Sequence, residues 1–299
     1  MIRPPVLKQG DTIGILSTAR KISPVELEPA IALLKEWGFK VQTAPNLFKE
    51  EHQFAGTDNE RLADLQGFID NPEIKAILCA RGGYGTIRII DDVNFSSLLK
   101  APKWIAGYSD VTALHNQLSR IGIESLHSTM PINFSTNTTE ALESLRQALI
   151  GEALSYTAPA HPFNRIGMGR GKITGGNLSM VYSQAGSRTS LETSGNILFL
   201  EDLDEYLYHV DRMMYNLKRN GYFTKPSGVI IGGMSDMNDN TIPFGETAEE
   251  IIHRHLSEFE YPVCFGFPAG HLADNRTLIF GRNATLNVSE KEVKLTFDG

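Results

Sequence analysis

Apolar positions along the first part of the chain follow two different periods, and these predict alternating strands and helices. Continuous apolar runs at 11–18, 39–43 and 74–80 predict strands, and helical spacing at 23–37 and 59–69 predicts the helices between them. The run at 74–80 (IKAILCA) is apolar throughout rather than on alternate positions. We therefore expect an α/β fold with a parallel sheet that helices cover on both faces.

One serine lies at the corner where a predicted strand becomes a helix. The apolar run 104–106 ends just before Ser109, and apolar residues recur at helical spacing from Val111 to Leu118. The first backbone N–H groups of a helix have no partner within the helix and can receive negative charge. This position suits a nucleophile, although Ser109 followed by Asp110 is also a pattern that caps helices.

A glycine-rich segment, 81–85 (RGGYG), follows another buried strand and precedes a predicted helix through Ile87 and Ile90. Its glycines allow backbone N–H groups to approach an anion closely. The spacing is not that of a nucleotide-binding loop, so we expect an oxyanion hole formed by the N–H groups of Gly83 and Asp110. The alternative is a tight turn that simply requires glycine.

The second half of the chain predicts a separate domain. Residues 1–150 form the first domain, and 151–169 lack any sustained period and contain prolines and glycines, which is typical of a connection. The second domain, 170–299, begins with strands and helices in alternation. From Thr277 the pattern changes to short alternating strands, which predict an antiparallel set.

Three polar residues stand directly beyond apolar strands: Ser109, Glu201 and His271. In open α/β sheets this edge is where ligands bind. Together they supply a nucleophile, an orienting carboxylate and a base, which is the set that a serine hydrolase needs. Taken singly, Glu201 is typical of a solvated strand end, and His271 of a loop histidine.

Further residues are candidates for contact with a substrate: Arg81, Gly82 and Tyr84 in the glycine-rich segment, His127 beyond a short strand, and Asn177 after two glycines. For Asn177 the alternative is that it caps the helix that begins there.

Composition narrows the function classes. The formal charge of -7 and the pI near 5.7 leave no basic stripe for nucleic acid. Cys79 and Cys264 lie in apolar strands, which favours a reducing compartment such as the cytoplasm. We expect no signal peptide and no membrane span, since the start carries prolines and charges and no long apolar run occurs. His253 and His255 face apart on a helix, so no metal site is expected.

Six blocks in order resemble the L,D-carboxypeptidase family, serine peptidases that remove the terminal D-alanine from cytosolic murein tetrapeptides. The blocks cover essentially the whole chain and read GDTIGILSTA, ARGGYGTIRII, GYSDVTAL, GGNLS, ILFLEDLDE and FGFPAGH. One departure is 126–130 (LHSTM), where many relatives carry a His-Gly-Pro-Met run. This departure changes the expected pocket wall near His127, and it therefore bears on the fine specificity for the substrate.

The resemblance implies an N-terminal Rossmann-like domain that carries the serine and a β-rich C-terminal domain that carries the glutamate and histidine, with the site in the groove between them. On matching positions, Ser109 is the nucleophile, His271 the base and Glu201 its orienting partner. Gly83 and Asp110 supply the oxyanion amides. The family also implies a homodimer in peptidoglycan recycling, with neither metal nor cofactor.

Two rival functions stay open. One is a peptidase similar to the microcin C self-immunity enzymes, which cleave an amide between an acidic residue and a modified nucleotide. The other is a non-catalytic protein that binds a murein peptide or another small anion.

Overall fold

The computed structural model describes residues 1–299, and the chain folds into two compact units. Unit 1 comprises Met1–Glu152 and Ala273–Ile279, and unit 2 comprises Ala153–Leu272 and Phe280–Gly299. The short segment Ala273–Ile279 therefore packs with unit 1, although it follows most of unit 2 in the sequence.

Unit 1 alternates strands and helices along the chain. Its elements are β1 (Thr12–Leu16), α1 (Pro24–Glu36), β2 (Lys40–Thr43), α2 (Asp58–Asp70), β3 (Ile74–Cys79), α3 (Ser96–Lys100), β4 (Trp104–Gly107), α4 (Thr112–Ile121), β5 (Ser125–His127) and α5 (Thr139–Ile150). Helices α1 and α2 both begin at a capping box, in which Ser23 and Thr57 exchange hydrogen bonds with Glu26 and Glu60.

The strands of unit 1 form a parallel sheet in the order β2-β1-β3-β4-β5. Residues of β3 and β4 are almost all buried, which is the burial on both faces that the continuous apolar runs predict. The strand order reverses direction between β1 and β3. Ligands of doubly wound sheets bind beyond the carboxyl ends of the strands at such a reversal.

Unit 2 contains both parallel and antiparallel strands. Its elements are β6 (Ser155–Pro159), β7 (Gly167–Asn177), α6 (Leu178–Ser183), β8 (Ile197–Leu203), α7 (Leu207–Arg219), β9 (Gly228–Ser235), α8 (Ala248–Leu256), β10 (Val263–Cys264), β11 (Leu278–Phe280, of which Phe280 belongs to unit 2), β12 (Asn283–Val288) and β13 (Glu292–Phe297). Strands β7, β8, β9 and β10 pair in parallel, in that order.

The antiparallel part of unit 2 is built on the first half of β7. Strand β12 pairs with β7 and with β13, and β13 pairs with β6. A buried core of aliphatic and aromatic side chains packs helices α7 and α8 with strands β8 and β9. The α/β fold class is confirmed, with a parallel sheet in the N-terminal half and a β-rich C-terminal half.

Three local expectations differ from the structure. The helix expected through Ile87 and Ile90 is a pair of 3-10 turns, because β-branched residues crowd this segment and the Thr86 N–H is bonded elsewhere. The expected strand 261–267 pairs only over Val263–Cys264. Within 151–169, the segment 155–159 forms β6, whose alternate residues are buried. None of the helices has the length and apolar character needed to cross a bilayer.

Candidate active site

Ser109 lies at the strand-to-helix corner that the apolar pattern predicts. Strand β4 ends at Gly107, and a 3-10 turn over Ser109–Val111 leads into α4. The φ angle of Ser109 is +63°, a left-handed conformation that costs a non-glycine residue about 1–3 kcal/mol. Its side chain makes no capping hydrogen bond, so the capping alternative is wrong. A strained serine at a strand–turn–helix corner is the geometry of an exposed nucleophile.

The glycine-rich segment passes directly over the Ser109 hydroxyl. A Cβ atom on Gly82 would lie 2.9 Å from the Ser109 Cβ and 3.1 Å from its Oγ, and 3.3 Å from the Met130 Cε. Any side chain at position 82 would therefore displace the hydroxyl or the backbone. Gly82 lets the main chain approach the serine, as a loop that stabilises charge beside it must do.

The Asp110 side chain ties this loop to the serine corner. Its carboxylate is buried and accepts the Thr86 N–H at 2.8 Å, just after the glycine-rich segment. Burial raises the pKa of Asp110, although the hydrogen bonds from Thr86 oppose that rise. The backbone N–H groups of Gly83 and Asp110 donate to no protein acceptor. Both N–H groups therefore lie close in the chain to the hydrogen bond between Asp110 and Thr86. Their role as an oxyanion hole stays a prediction.

A buried arginine that the sequence analysis missed supports the same loop. The Arg61 guanidinium, on α2, is 1% exposed and donates to the carbonyls of Thr18 and Gly85 and to the Asp58 carboxylate. One rigid side chain thus joins the ends of two loops, one after β1 and one after β3. An Arg fork is suited to this because its donors lie in one plane.

The second group of candidate residues is in unit 2, where Glu201 and His271 form a close pair. Glu201 is fully buried in β8, and its Oε2 accepts the backbone N–H of His271 at 3.1 Å and lies 2.6 Å from Nδ1. An ionised carboxylate only accepts hydrogen bonds, so Nδ1 carries the proton. Nε2 is then the nitrogen with a lone pair, which is the tautomer that a general base requires.

Electrostatics favour the protonated form of this histidine. Burial alone would lower the pKa of His271, but the charge of Glu201, its hydrogen bond and the charge of Asp202 outweigh burial, so the pKa lies above its usual value. Burial and the neighbouring Glu201 raise the pKa of Asp202 to about 7. Two adjacent carboxyls thus share one buried region beside the imidazole.

Asn177 is a helix cap in this structure. Its Oδ1 accepts from the Met180 N–H at the start of α6, and its Nδ2 donates to Asp202 at 2.7 Å. This is the alternative noted from the sequence, and it also joins α6 to β8. A contact between Asn177 and substrate stays a prediction.

His127 is fully buried at the end of β5, beside the rings of Tyr108 and His115. His115 bonds to the Ser125 hydroxyl and to the Gly107 carbonyl, and burial lowers its pKa to about 3. His115 is therefore neutral and holds the strand that leads to Ser109. The role of His127 in substrate binding stays a prediction.

The two longer side chains of the glycine-rich segment point to different partners. Arg81 donates to the Lys21 carbonyl at 3.3 Å and lies 3.7 Å from Glu26, so its charge is already compensated. Tyr84 is 46% exposed and its ring lies near that of Phe54. Their contact with substrate stays a prediction. No cluster of three or more His, Cys, Asp or Glu side chains has a metal-binding arrangement.

Comparison with known proteins identifies the peptidase family to which this chain belongs. The family descriptions LD-carboxypeptidase N-terminal domain and LD-carboxypeptidase C-terminal domain match residues 13–128 and 170–286. The chain therefore belongs to the LD-carboxypeptidase family, as the six sequence blocks indicate. It is a serine-type carboxypeptidase by family.

Relatives match along nearly their whole length. A probable murein peptide carboxypeptidase of Bacillus subtilis is 32% identical over 97% of this chain and 92% of its own. The murein tetrapeptide carboxypeptidase of Pseudomonas aeruginosa is 26% identical over 92% of each chain. The crystal structure of a muramoyltetrapeptide carboxypeptidase from Oxalobacter formigenes superposes with a TM-score of 0.87 at 27% identity, covering 96% of this chain and 99% of that one.

Proposed function

We propose that this protein is a serine carboxypeptidase that releases the terminal D-alanine from murein tetrapeptides by cleaving the bond to an L-configured centre. The observation that carries the proposal is the left-handed Ser109, whose hydroxyl lies against the backbone of Gly82. The relatives named murein peptide and murein tetrapeptide carboxypeptidase support the substrate class.

The proposed reaction runs through an acyl-enzyme. Ser109 Oγ attacks the scissile carbonyl carbon as Nε2 of His271 takes the hydroxyl proton, and Glu201 keeps the ring in the Nδ1–H tautomer. The backbone N–H groups of Gly83 and Asp110 stabilise the tetrahedral oxyanion. Collapse breaks the C–N bond, and the imidazolium gives its proton to the leaving amine. Water then hydrolyses the ester by the same steps and restores the serine.

The anchors described above explain why such a site would be preorganised. The Asp110 carboxylate and the Arg61 guanidinium both hold the C-terminal end of the glycine-rich loop, at Thr86 and Gly85. Oxyanion stabilisation depends on donors that need no rearrangement during the reaction, and a loss of one donor costs about 10²–10³ in kcat.

We further propose that the enzyme works in the cytoplasm, in peptidoglycan recycling, and as a homodimer. Two buried cysteines that form no disulfide support a reducing compartment. The family resemblance supports recycling and dimerisation.

Mass spectrometry of murein peptides incubated with the pure protein tests the proposal. Tetrapeptide should lose one alanine while pentapeptide stays intact, and Ser109→Ala should abolish the loss, with a drop of about 10⁶ in kcat. A Ser109→Ala protein that keeps full activity contradicts the mechanism.

Two further experiments distinguish the proposed function from its two rivals. A fluorophosphonate should label the native protein at Ser109 and leave Ser109→Ala unlabelled, whereas a pure binding protein would not react. An aminoacyl amide of a modified nucleotide, offered beside the tetrapeptide, tests the immunity-type peptidase. If the protein cleaved the nucleotide compound faster than the tetrapeptide, the proposed murein substrate would be wrong and the immunity-type function would take its place.

A further inference from the structure

Arg20 lies at the reversal of strand order in the unit 1 sheet. It follows β1, and the glycine-rich segment follows β3, so both stand beyond the carboxyl ends of the two strands that flank the reversal. The main chains of the two loops are joined, since the Arg20 N–H donates to the Gly82 carbonyl at 3.3 Å. This is the position where doubly wound sheets bind ligands.

Arg20 differs from the other cations around the loop because its charge is uncompensated. Lys21 pairs with Glu50 at 2.6 Å, Arg81 with Glu26 at 3.7 Å, and Arg88 with Asp58 at 2.7 Å. The Arg20 side chain is exposed and makes no ion pair or side-chain hydrogen bond. A guanidinium with all its donors open is suited to an incoming carboxylate, which it can bind through two parallel hydrogen bonds.

The stem of Arg20 is nevertheless held in place. The Ser17 hydroxyl donates to the Arg20 carbonyl at 2.6 Å, which fixes the turn after β1. The Arg20 Cγ and Cδ then cross Gly83 so closely that a Cβ at position 83 would overlap them, and Gly83 has a φ of +107°. The aliphatic part of the side chain thus lies against the loop, while the residue as a whole remains exposed.

This stem is close to the serine. Gly83 lies against the Arg20 stem, and a Cβ atom on the preceding residue, Gly82, would lie 3.1 Å from the Ser109 Oγ. The Cα atoms of consecutive residues are about 3.8 Å apart. A carboxypeptidase substrate ends one residue after the scissile carbonyl, about 3.5 Å further along the chain. The terminal carboxylate of a peptide whose carbonyl is next to Ser109 therefore falls within the range of an extended guanidinium.

We propose that Arg20 binds the terminal carboxylate of the leaving D-amino acid and so restricts the enzyme to the free carboxyl end of the peptide. This inference rests on the proposed function, because it assumes that Ser109 attacks the last peptide bond. It assigns to Arg20 a specificity role that is separate from the chemistry at Ser109.

The test compares two substrates: murein tetrapeptide with a free terminal carboxylate and the same peptide as its C-terminal amide. Wild type should prefer the acid. Arg20→Gln should lower kcat/KM for the acid about 10²-fold, mainly through KM, and leave the amide nearly unchanged, because it removes a charge-assisted contact to the carboxylate. Arg20→Lys should recover part of the preference, since it keeps the charge without the fork.

The matched control is Lys21→Gln, which removes the neighbouring cation that already has a carboxylate partner, and it should keep the wild-type preference for the acid. Fluorophosphonate labelling of Ser109 should proceed at the same rate in all variants. An unchanged acid-to-amide ratio in Arg20→Gln overturns the proposal. Equal losses on acid and amide with slower labelling also overturn it, since Arg20 would then only support the loop. A wild type that cleaves neither peptide contradicts the proposed function itself.

Discussion

Among the histidine–carboxylate pairs of unit 2, the two whose histidine is most deeply buried have nearly the same separation between their polar atoms. The Nδ1 atom of His271 lies 2.6 Å from Oε2 of Glu201, and the Nε2 atom of His255 lies 2.8 Å from Oδ1 of Asp211. The first pair stands at the carboxyl end of a parallel strand, and the second joins helix α8 to helix α7. Only the first pair therefore occupies the edge where α/β sheets bind ligands.

The surrounding charges give the two histidines opposite pKa shifts. The pKa of His255 is lowered, because burial outweighs the hydrogen bond to Asp211 and its charge. The nearby cations Arg254 and Lys218 lower this pKa further. Asp211 is also shared, since it accepts from Arg254 at 2.9 Å. Around His271 burial acts in the same direction, but the wholly buried Glu201 and the nearby Asp202 raise the pKa.

The comparison shows that a histidine beside a carboxylate is not by itself a catalytic element. Asp211 divides its charge between an imidazole and a guanidinium, so His255 stays neutral and serves as a link between helices. Glu201 instead pairs with an imidazole whose pKa is moved toward the range where a general base is effective.

The largest expected difference is between His271→Ala and His255→Ala. We expect the first variant to lose about 10⁶ in kcat, because without a base the serine hydroxyl is a poor nucleophile. The second should keep wild-type kcat and lose about 1–3 kcal/mol of unfolding free energy, since a buried hydrogen bond is removed. Steady-state assays on tetrapeptide and thermal melts measure both quantities.

Circular dichroism of both variants serves as the control for folding. If His255→Ala folded normally and lost activity as severely as His271→Ala, the two pairs could not be distinguished by position. The assignment of His271 as the base would then be wrong.

The kcat values of the two carboxylate variants should differ less from each other than those of the two histidine variants. Glu201→Gln keeps the shape of the side chain but removes the charge that selects the Nδ1–H tautomer, so kcat should fall about 10⁴-fold. Asp211→Asn should stay within about threefold of wild type, because Arg254 and His255 retain an acceptor oxygen there. Assays at several pH values separate loss of the base from a shifted pH optimum, and similar losses in both variants would contradict the comparison.

The positions of Ser109 and Glu201 were predictable because each follows a continuous apolar run in the sequence. Burial forces such strands to be apolar, and the first polar residue beyond each one marks the edge of the sheet. Ser109 lies two residues beyond the end of β4. Glu201 follows the apolar run 197–200, but β8 extends to Leu203, so Glu201 lies inside the strand and not beyond it. The 3.6-residue period likewise identified helices α1 and α2 to within two residues of their ends.

The supporting residues were not predictable, because their partners are distant in the sequence. Arg61 bonds to carbonyls that follow other strands, and the Asp110 carboxylate bonds to an N–H 24 positions earlier. A charged residue on an amphipathic helix is normally solvated, so nothing in the spacing marks Arg61 as buried. The uncompensated charge of Arg20 is visible only once the partners of its neighbours are known.

The smallest expected effect is in the pH dependence of stability, where the two histidines should act in opposite directions. A raised folded-state pKa, as for His271, means that the folded state binds the proton more tightly, so its contribution is fully present below the unfolded pKa, about 6.5, and is lost as pH rises through the folded value. A lowered pKa, as for His255, makes protonation oppose folding. Stability is then lost as pH falls below about 6.5.

Denaturant unfolding of wild type, His271→Gln and His255→Gln between pH 5 and 8 measures these contributions. Relative to wild type, His255→Gln should lose less stability on acidification and His271→Gln should lose more, each by a slope of at most about 1.4 kcal/mol per pH unit because one proton is involved. Asp202 and His115, whose pKa values are about 7 and about 3, are present in all three proteins, so their titration largely cancels in the differences. Slopes of the same sign in both variants would show that the charges around Glu201 do not distinguish the two pairs.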